Sequence, residues 1–360
     1  MRIAITGATG NVGSAVVRHL SAAGHELVGV ARRVPPADDS GDPGVVEWHA
    51  VDLSRDDAGP ALARAFAGAD TVVHLAWGFQ PSHRLDYLEA LGVGGTRRVV
   101  GAVVDTGVRH LVHMSSVGAY SPKVDETPVS EDYPTGGVPG SPYSRHKSTA
   151  ERLLDDLERE QRGSGRPGLV VSRMRPGIVG QRAAGSSLMR YGLPALVPGG
   201  LLRHVPVVPL DSAMVIPMVH ADDVADGFAR VVESRVPGPF NLSAGAVTAA
   251  DIARALGGRH VQVPTSVIRA AADASWRLHL QQVDPGWVDL ARHAPLMSTG
   301  RARAELGWTA TRAAVDVLDE TVGGMAGASA GDTSVLRTRT VAGELRALLR
   351  RGPVSRRTRP

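Results

Sequence analysis

The sequence RIAITGATGNVG, residues 2–13, decides the fold of this chain. Residues 2–5 form a short apolar run typical of a buried parallel strand, and residues 14–20 carry apolar side chains at helical spacing. A strand therefore meets a helix across a glycine-rich turn, where backbone amides can approach a pyrophosphate closely. A glycine triplet alone also occurs in ordinary turns, but the strand–turn–helix context favours a dinucleotide site.

Composition narrows the class of protein. Of the 360 residues, 43% are hydrophobic and 21% are charged, which is typical of a globular protein. There is no cysteine, so disulfides and thiolate metal sites are excluded, and no metal site is predicted. No stretch of about 18 uncharged apolar residues occurs, and a strand that starts at residue 2 leaves no room for a signal peptide. We therefore expect a cytoplasmic protein with no membrane partner.

The basic pI of 9.8 comes from one end of the chain. Residues 326–360 contain eight arginines against Asp332 and Glu344, a net charge of +6, whereas the whole chain carries +4. Residues 1–325 are thus mildly acidic, at −2. We predict a basic, flexible tail at residues 326–360 and expect no nucleic-acid partner.

Strands and helices alternate along the first half of the chain. After the first strand, buried apolar runs predict five more strands, at residues 26–31, 45–49, 71–76, 110–114 and 169–174. Helices are predicted between them, including a long one from about Leu85 to Asp105 and another from Tyr143 to about Arg162. This alternation predicts an α/β fold, a doubly wound parallel Rossmann-type sheet with a smaller, mostly helical C-terminal substrate domain.

The predicted domain boundaries follow from this pattern. Residues 1–177 form the NAD(P)-binding domain, to which segments near 211–243 return, while residues 178–210 and 244–325 form a substrate-binding and lid region. Helices in that region are predicted at 248–256, 265–281 and 299–306. Its tryptophans, Trp276, Trp287 and Trp308, are assigned to the core, or for one of them to the pocket wall.

Five residues stand at the carboxyl ends of predicted strands and mark where a ligand would lie. They are Gly7, Arg32, Asp52, Ala76 and Ser116. Because ligands of a doubly wound sheet bind outside the carboxyl ends of its strands, we expect these residues near one site.

The helix that opens at Tyr143 carries the predicted proton chemistry. Tyr143 and Lys147 stand at i and i+4 on one helix face, and the chain has only one other lysine, Lys123. A nearby cation favours an ionised phenol and lowers its pKa from about 10. Such a tyrosine could move a hydroxyl proton near neutral pH while a cofactor moves the hydride.

Together these motifs make the sequence similar to the extended short-chain dehydrogenase/reductases, which include nucleotide-sugar epimerases, dehydratases and carbonyl reductases. The resemblance covers roughly residues 1–310. Its motifs occur in the family's order: the glycines at 7, 10 and 13, then DL at 52–53, HLA at 74–76, SSVGAY at 115–120, YSRHK at 143–147, RPGIVG at 175–180 and VHADDV at 219–224.

The resemblance implies a role for each matching position. Ser116 would hydrogen-bond the reacting oxygen, Tyr143 would act as general acid/base, and Lys147 would hold the ribose hydroxyls. The implied cofactor-binding residues of the turn are Gly7, Thr9, Gly10, Asn11, Val12 and Gly13. Asp52 and Leu53 would lie against the adenine, Leu75 and Ala76 along the cofactor, and Pro176 and Ile178 near the nicotinamide. The family also implies a homodimer, although the sequence leaves the oligomeric state open.

Two departures from the family pattern matter. Gly92 stands where the family often has an Asn that supports a proton relay. Val117-Gly118 stands where the 4,6-dehydratases carry an Asp-Glu pair, so we do not expect dehydration by that route.

The end of the second predicted strand bears on cofactor choice. Arg32 and Arg33 follow it, with no acid until Asp38. An acid there would bind the adenine ribose, whereas arginines can pair with a 2′-phosphate, so NADP is favoured and NAD stays open.

The sequence therefore predicts an NADP-preferring oxidoreductase acting on a carbonyl or secondary alcohol of a small molecule. Two alternatives stay open: a nucleotide-sugar epimerase with tightly bound NAD, and a non-catalytic regulator that senses NADP.

Overall fold

The computed structural model describes residues 1–35, 45–164, 168–192, 199–331, 333 and 335–338. Residues 36–44, part of the predicted lid region at 193–198 and the predicted tail beyond 338 therefore lie outside the described residues.

A seven-stranded sheet forms the centre of the molecule, and all of its neighbouring strands are parallel. In spatial order the strands are β10 (Gly238–Leu242), β6 (Val170–Pro176), β5 (His110–Met114), β4 (Thr71–His74), β1 (Arg2–Thr6), β2 (Glu26–Ala31) and β3 (Val45–Ala50). The order reverses between β1 and β4, which opens a crevice at the carboxyl ends of these strands. This topology confirms the predicted doubly wound parallel sheet.

Helices cover both faces of the sheet. In the described residues they are α1 (Asn11–Ala22), α2 (Gly59–Phe66), α3 (Leu85–Glu89), α4 (Gly95–Thr106), α5 (Pro142–Ser164), α6 (Gly185–Gly192), α7 (Ala221–Ser234), α8 (Ala249–Ala255), α9 (Thr265–Arg277), α10 (Pro285–His293), α11 (Gly300–Leu306) and α12 (Ala314–Ala326). None of them is both long enough and apolar enough to cross a membrane.

Two apolar cores hold these layers together. On one face, α1 and α7 pack Leu20 and Phe228 against Ile5 of β1. On the other, α2, α4 and α5 bury side chains such as Leu62 and Leu154. Because both faces of the sheet are covered, its strands are continuous apolar runs rather than alternations of apolar and polar residues.

Two smaller sheets lie beyond the central one. In the first, β9 (Val215–His220) pairs with β7 (Ile178–Gly180) and β11 (Ala246–Thr248). In the second, β8 (Val207–Leu210) pairs with β12 (Arg259–Gln262).

The predicted long helix at residues 85–105 is wrong in one respect, because it is not continuous. A turn of π-helix at Ala90–Gly94 separates α3 from α4. The Thr96 hydroxyl donates a hydrogen bond to the Gly92 carbonyl at 2.7 Å within this turn. Such turns often occur beside functional sites, and this one lies beside the site described below.

The sequence-based prediction does not include three of the described helices, α6, α10 and α12. Of these, α10 carries a start signal that could have revealed it. Asp284 precedes Pro285, and its carboxylate accepts a hydrogen bond from the Gly286 amide at 2.9 Å, as expected of a helix N-cap.

Candidate active site

The glycine turn, residues 7–13, brings β1 and α1 closer than any side chain would permit. Gly7 has a φ of +73°, and a Cβ on it would lie 2.8 Å from the Ala76 amide nitrogen. A Cβ on Gly13 would lie 2.1 Å from the Gly7 carbonyl oxygen. The N-cap of α1, Gly10, provides no side-chain cap, and the first turn contains no acid. The turn therefore fits the pyrophosphate of a dinucleotide.

One cavity of about 260 Å³ begins at this turn. Its wall includes many of the site residues expected from the sequence: Gly7, Gly10, Asn11, Val12, Gly13, Leu75, Ser116, Tyr143, Lys147, Pro176 and Ile178. We call the part formed by residues 7–13 the glycine end. The part formed by Trp77, Phe79 and Trp287 is the aromatic end.

The other expected cofactor residues lie outside this wall. Thr9 is buried, and Ala76 donates its amide to the Thr6 hydroxyl at 3.4 Å. Asp52 accepts hydrogen bonds from the amide and hydroxyl of Ser54, at 3.1 and 2.6 Å. Leu53 is also buried.

Arg32 and Arg33 follow β2, at the edge of the described region. The Arg32 guanidinium donates a hydrogen bond to the hydroxyl of Tyr87, which comes from α3. The side chain of Tyr87 is itself buried, so this contact fixes the direction of Arg32 at the end of the strand.

Ser115 and Ser116 follow β5 but face different partners. The Ser116 hydroxyl oxygen accepts the Gly118 amide at 3.0 Å and lines the cavity. The Ser115 hydroxyl instead donates to the Glu151 carboxylate at 2.5 Å. Of the two serines, only Ser116 is a hydrogen-bond partner of the Tyr143 phenol.

Glu151 anchors the helix that carries Tyr143 and Lys147. Its fully buried carboxylate accepts two hydrogen bonds from Arg175, at 2.8 and 3.0 Å, and one from Arg173, at 2.9 Å. Burial alone would raise the pKa of Glu151, but the two guanidinium groups outweigh it and lower the pKa to about 2. The charge cluster thereby ties α5 to β6.

The Tyr143 phenol departs from the sequence-based expectation. Burial raises its pKa to about 12, and the hydrogen bond with Ser116 opposes that rise only in part. The expected lowering of this pKa by Lys147 is therefore wrong. The reason is that removing the phenol from water penalises its ionised form more than neighbouring groups favour it.

Lys147 is turned toward two neutral partners. Its ammonium donates to the Met114 carbonyl at 2.7 Å and lies 3.6 Å from the centre of the Trp77 ring. Burial lowers the pKa of Lys147 well below its usual value, and Glu151 opposes this. A carbonyl and a π face can hold a cation without an ion pair.

Trp77 also explains why glycine occupies position 92. A Cβ on Gly92 would lie 2.9 Å from Cζ2 of the Trp77 indole. The space that an asparagine side chain would need is thus occupied by the ring that covers Lys147.

Gly118 meets a similar restriction. A Cβ there would lie 2.9 Å from Cε1 of Tyr143 and 3.4 Å from the Ser116 hydroxyl. No carboxylate fits at this position unless Tyr143 moves.

The aromatic end was largely missed in the sequence. The ring centre of Phe79 lies 5.7 Å from that of Tyr143 and 5.3 Å from that of Trp287, and both pairs are edge to face. Trp287 stacks on Tyr143 at 5.1 Å. Trp287 is thus the tryptophan that reaches the pocket wall, whereas Trp308 is buried in the core.

Two histidines lie behind the cavity, in β4 and β5. His74 exchanges hydrogen bonds with the hydroxyls of Thr6, at 2.7 Å, and Thr96, at 3.1 Å. His113 is buried and, within the described part of the chain, neither of its ring nitrogens has a hydrogen-bond partner. Across the described ranges, no group of three or more His, Cys, Asp or Glu side chains is placed to hold a metal ion.

A segment after α12 reaches back to the glycine turn. The Thr333 hydroxyl donates to the Thr9 carbonyl at 2.8 Å, and Val335 lines the cavity. Leu336 beside them is buried. The described part of the predicted tail therefore forms one wall of the site.

Comparison with known proteins agrees with this geometry. The profile of the NAD dependent epimerase/dehydratase family matches residues 3–243. The chain belongs to this family. The family is NAD-dependent, and the glycine turn of this epimerase/dehydratase family member fits such a cofactor on the Cβ distances given above.

Individual relatives are more distant. An uncharacterized protein of Mycobacterium tuberculosis is 28% identical over 324 residues, which is 89% of this chain but 29% of that protein. Human 3 beta-hydroxysteroid dehydrogenase type 7 is 34% identical over 153 residues, 40% of each chain. The chain thus spans less than half the length of these relatives.

Among solved structures, the UDP-glucose 4-epimerase of Thermus thermophilus in complex with NAD has a TM-score of 0.66. It is 22% identical, and the match covers 91% of this chain and 100% of that one. This likeness supports the fold.

Proposed function

We propose that the protein moves a hydride between NADP(H) and the carbinol or carbonyl carbon of a small molecule. The observation that supports this most is the shared cavity, in which Ser116, Tyr143 and Lys147 follow the glycine turn along one wall. When bound, the nicotinamide cofactor supplies the hydride acceptor or donor.

Ser116 and Tyr143 have separate roles in this reaction. The Ser116 hydroxyl, which accepts the Gly118 amide and is a hydrogen-bond partner of Tyr143, would donate its O–H to the reacting oxygen. In oxidation, Tyr143 would accept the hydroxyl proton of the carbinol, while the C–H electron pair would leave as the hydride that a bound nicotinamide accepts, giving the carbonyl.

The protonation state of Tyr143 determines whether its phenol can donate or accept a proton. With its pKa raised to about 12, the phenol is protonated at neutral pH and is ready to donate in reduction. In oxidation, Tyr143 can accept a proton only as the phenolate, which a nearby positive charge would favour.

The activity test is Tyr143→Phe, with Tyr133→Phe as the matched control. Tyr133 donates its hydroxyl to the Pro122 carbonyl at 2.8 Å and is not part of the cavity wall. We expect kcat to fall about 10²- to 10⁴-fold in the first variant and to stay within twofold in the second. Unchanged turnover in Tyr143→Phe would refute the assignment of the acid/base.

The preference for NADP rests on Arg32 and Arg33 at the end of β2. A titration of NADPH against NADH tests it, with Arg32→Ala and the exposed Arg64→Ala as variant and control. We expect NADPH to bind about tenfold tighter, and Arg32→Ala to remove most of that difference, because charged hydrogen bonds to phosphate contribute about 1.5–3 kcal/mol. Equal affinity for both cofactors in the unmodified protein would overturn the preference.

The second candidate is a nucleotide-sugar epimerase, which the similarity to an NAD-bound UDP-glucose 4-epimerase favours. If the protein is such an epimerase, NAD should copurify with it and should not exchange with free NAD. Turnover should then need no added cofactor. An apoprotein that consumes NADPH stoichiometrically would exclude it. Dehydration is not proposed, because position 118 has no room for a carboxylate beside Tyr143.

A further inference from the structure

The aromatic end concentrates a scarce residue type. Phenylalanine, tryptophan and tyrosine make up only 4% of the chain. Four of these residues nevertheless surround one space, since the rings of Trp77, Phe79 and Trp287 all lie within 6.5 Å of the Tyr143 ring, measured between centres. They come from three separate parts of the chain, so local sequence does not explain their convergence.

One of these rings is open to solvent. Phe79 is 41% exposed although it belongs to the cavity wall. A large apolar ring at the mouth of a pocket has no role in stabilising the core, and exposed apolar surface of this kind often marks a binding site.

The rest of this end is aliphatic. Leu290 of α10 and Ala294, which follows that helix, continue the wall, and Ile216 of β9 adds to it from the smaller sheet. The polar side chains near the opening are neutral, as with Gln80 and Ser187.

Charge is scarce in the same wall. Of the described residues that line the cavity, Lys147 alone is charged, and its ammonium is held by the Met114 carbonyl and the Trp77 ring. Away from the amides of the glycine end, the side chains that pair with the phosphates of a nucleoside diphosphate are arginine and lysine. The described wall offers none beyond Lys147.

We infer that the aromatic end binds a flat, uncharged substrate that carries an aromatic ring next to its carbinol or carbonyl carbon. The oxygen of this group meets Ser116 and Tyr143, and the ring packs against Phe79 and Trp287. Aromatic pairs in edge-to-face or offset geometry gain about 0.5–1.5 kcal/mol beyond the burial of area, which favours an aromatic over a saturated ring of equal size. This substrate class rests on the proposed function.

The test measures binding, so that it does not depend on turnover. The protein is saturated with whichever oxidised cofactor it binds and is titrated by calorimetry with two ketones of equal carbon skeleton, 2-acetonaphthone and 2-acetyldecalin. UDP-glucose is the third ligand. We expect 2-acetonaphthone to bind at least tenfold tighter than 2-acetyldecalin, and UDP-glucose to bind more weakly than either.

Variants locate the effect. Phe79→Ala and Trp287→Ala should each weaken 2-acetonaphthone at least fivefold while leaving cofactor affinity within twofold. The control is Trp276→Ala, because Trp276 stacks on His83 at 4.9 Å and is not part of the cavity wall. This variant should bind 2-acetonaphthone as the unmodified protein does.

Three results would overturn the inference: equal affinity for the two ketones, tighter binding of UDP-glucose, or an equal loss in Trp276→Ala. None of these depends on catalysis. Failure of the proposed function is read separately, in the cofactor titration and in the turnover of Tyr143→Phe.

Discussion

Backbone atoms form the wall at one end of the cavity, and side chains form it at the other. At the glycine end, the wall is backbone, and Gly7 and Gly13 leave no room for a Cβ against neighbouring carbonyl and amide groups. At the aromatic end, the wall is side chain, and Phe79 and Trp287 meet although 208 positions separate them. The first end is set by local geometry and the second by tertiary packing.

This difference teaches which part of the site can vary. Backbone contacts fix the shape that a dinucleotide needs and allow almost no substitution. Side-chain contacts allow the other end to change with the residues that α10 and the loop after β4 present. Helix α5 serves both ends, because it carries Tyr143 and Lys147 between them.

The largest expected effect falls on the anchor of that helix. Glu151→Gln leaves Arg173 and Arg175 buried with less negative charge, and we expect it to lower the free energy of unfolding by about 3–5 kcal/mol. Urea unfolding measures this, with the exposed Glu160→Gln of the same helix as control. A loss below about 1 kcal/mol would mean that the cluster does not anchor α5.

Next in size is a change at the glycine end. Gly13→Ala forces a methyl group to within 2.1 Å of the Gly7 carbonyl oxygen, so α1 must shift. We expect the free energy of unfolding to fall by about 3 kcal/mol. We also expect cofactor binding to be abolished. Gly101→Ala in α4 is the control, since its Cβ meets nothing within 4 Å, and it should stabilise by up to about 1 kcal/mol.

A smaller effect is expected where the two ends meet. Gly92→Asn presses against the Trp77 indole and should cost about 1–3 kcal/mol by thermal unfolding. Gly92→Asn should cost less in a Trp77→Ala background than in the unmodified protein, because the indole no longer occupies that space. An equal cost in the two backgrounds would show that the indole is not what restricts position 92.

The smallest effect is a dependence of stability on pH that involves neither end directly. Burial lowers the pKa of His74 to about 3 and of His110 to about 4, from 6.5. Below pH 6.5 the unfolded chain binds protons that the folded protein does not, so each histidine lowers stability by about 1.4 kcal/mol per pH unit.

Urea unfolding at pH 7.0, 6.0 and 5.0 measures that slope. His110→Gln should flatten it, whereas the exposed His204→Gln should not. Glu151 does not change the slope of stability between pH 5.0 and 7.0. Because its pKa is lowered to about 2, its contribution to stability is lost only as the pH falls below the ordinary value of 4.5. A slope unchanged in His110→Gln would contradict the assignment.

Much of the fold could be predicted because its signals are local. Apolar runs mark strands, and the glycine spacing marks a turn that backbone geometry alone dictates. The break at Ala90–Gly94 was missed, and the structure places the Trp77 indole beside Gly92 within it. In the sequence, only the spacing to Tyr120 within the family motif favours Ser116 over Ser115 as the site residue. The structure distinguishes the two serines by the partner that each contacts.

The pKa of Tyr143 shows the limit of spacing as a guide. An i, i+4 pair places a cation on the same helix face, but burial depends on residues that the pair does not include. Trp287 and Phe79 pack against the phenol ring from distant segments, and burial raises the pKa of Tyr143, opposite to the effect expected of the lysine.

The contact between Thr333 and Thr9 spans 324 positions. During synthesis the glycine turn can form early, since β1 and α1 are adjacent, but the wall that Val335 supplies must wait for residues made much later. Such non-local closure is slow relative to the formation of helices. A nascent chain that stops short of Val335 thus presents the dinucleotide turn with its cavity still open on one side.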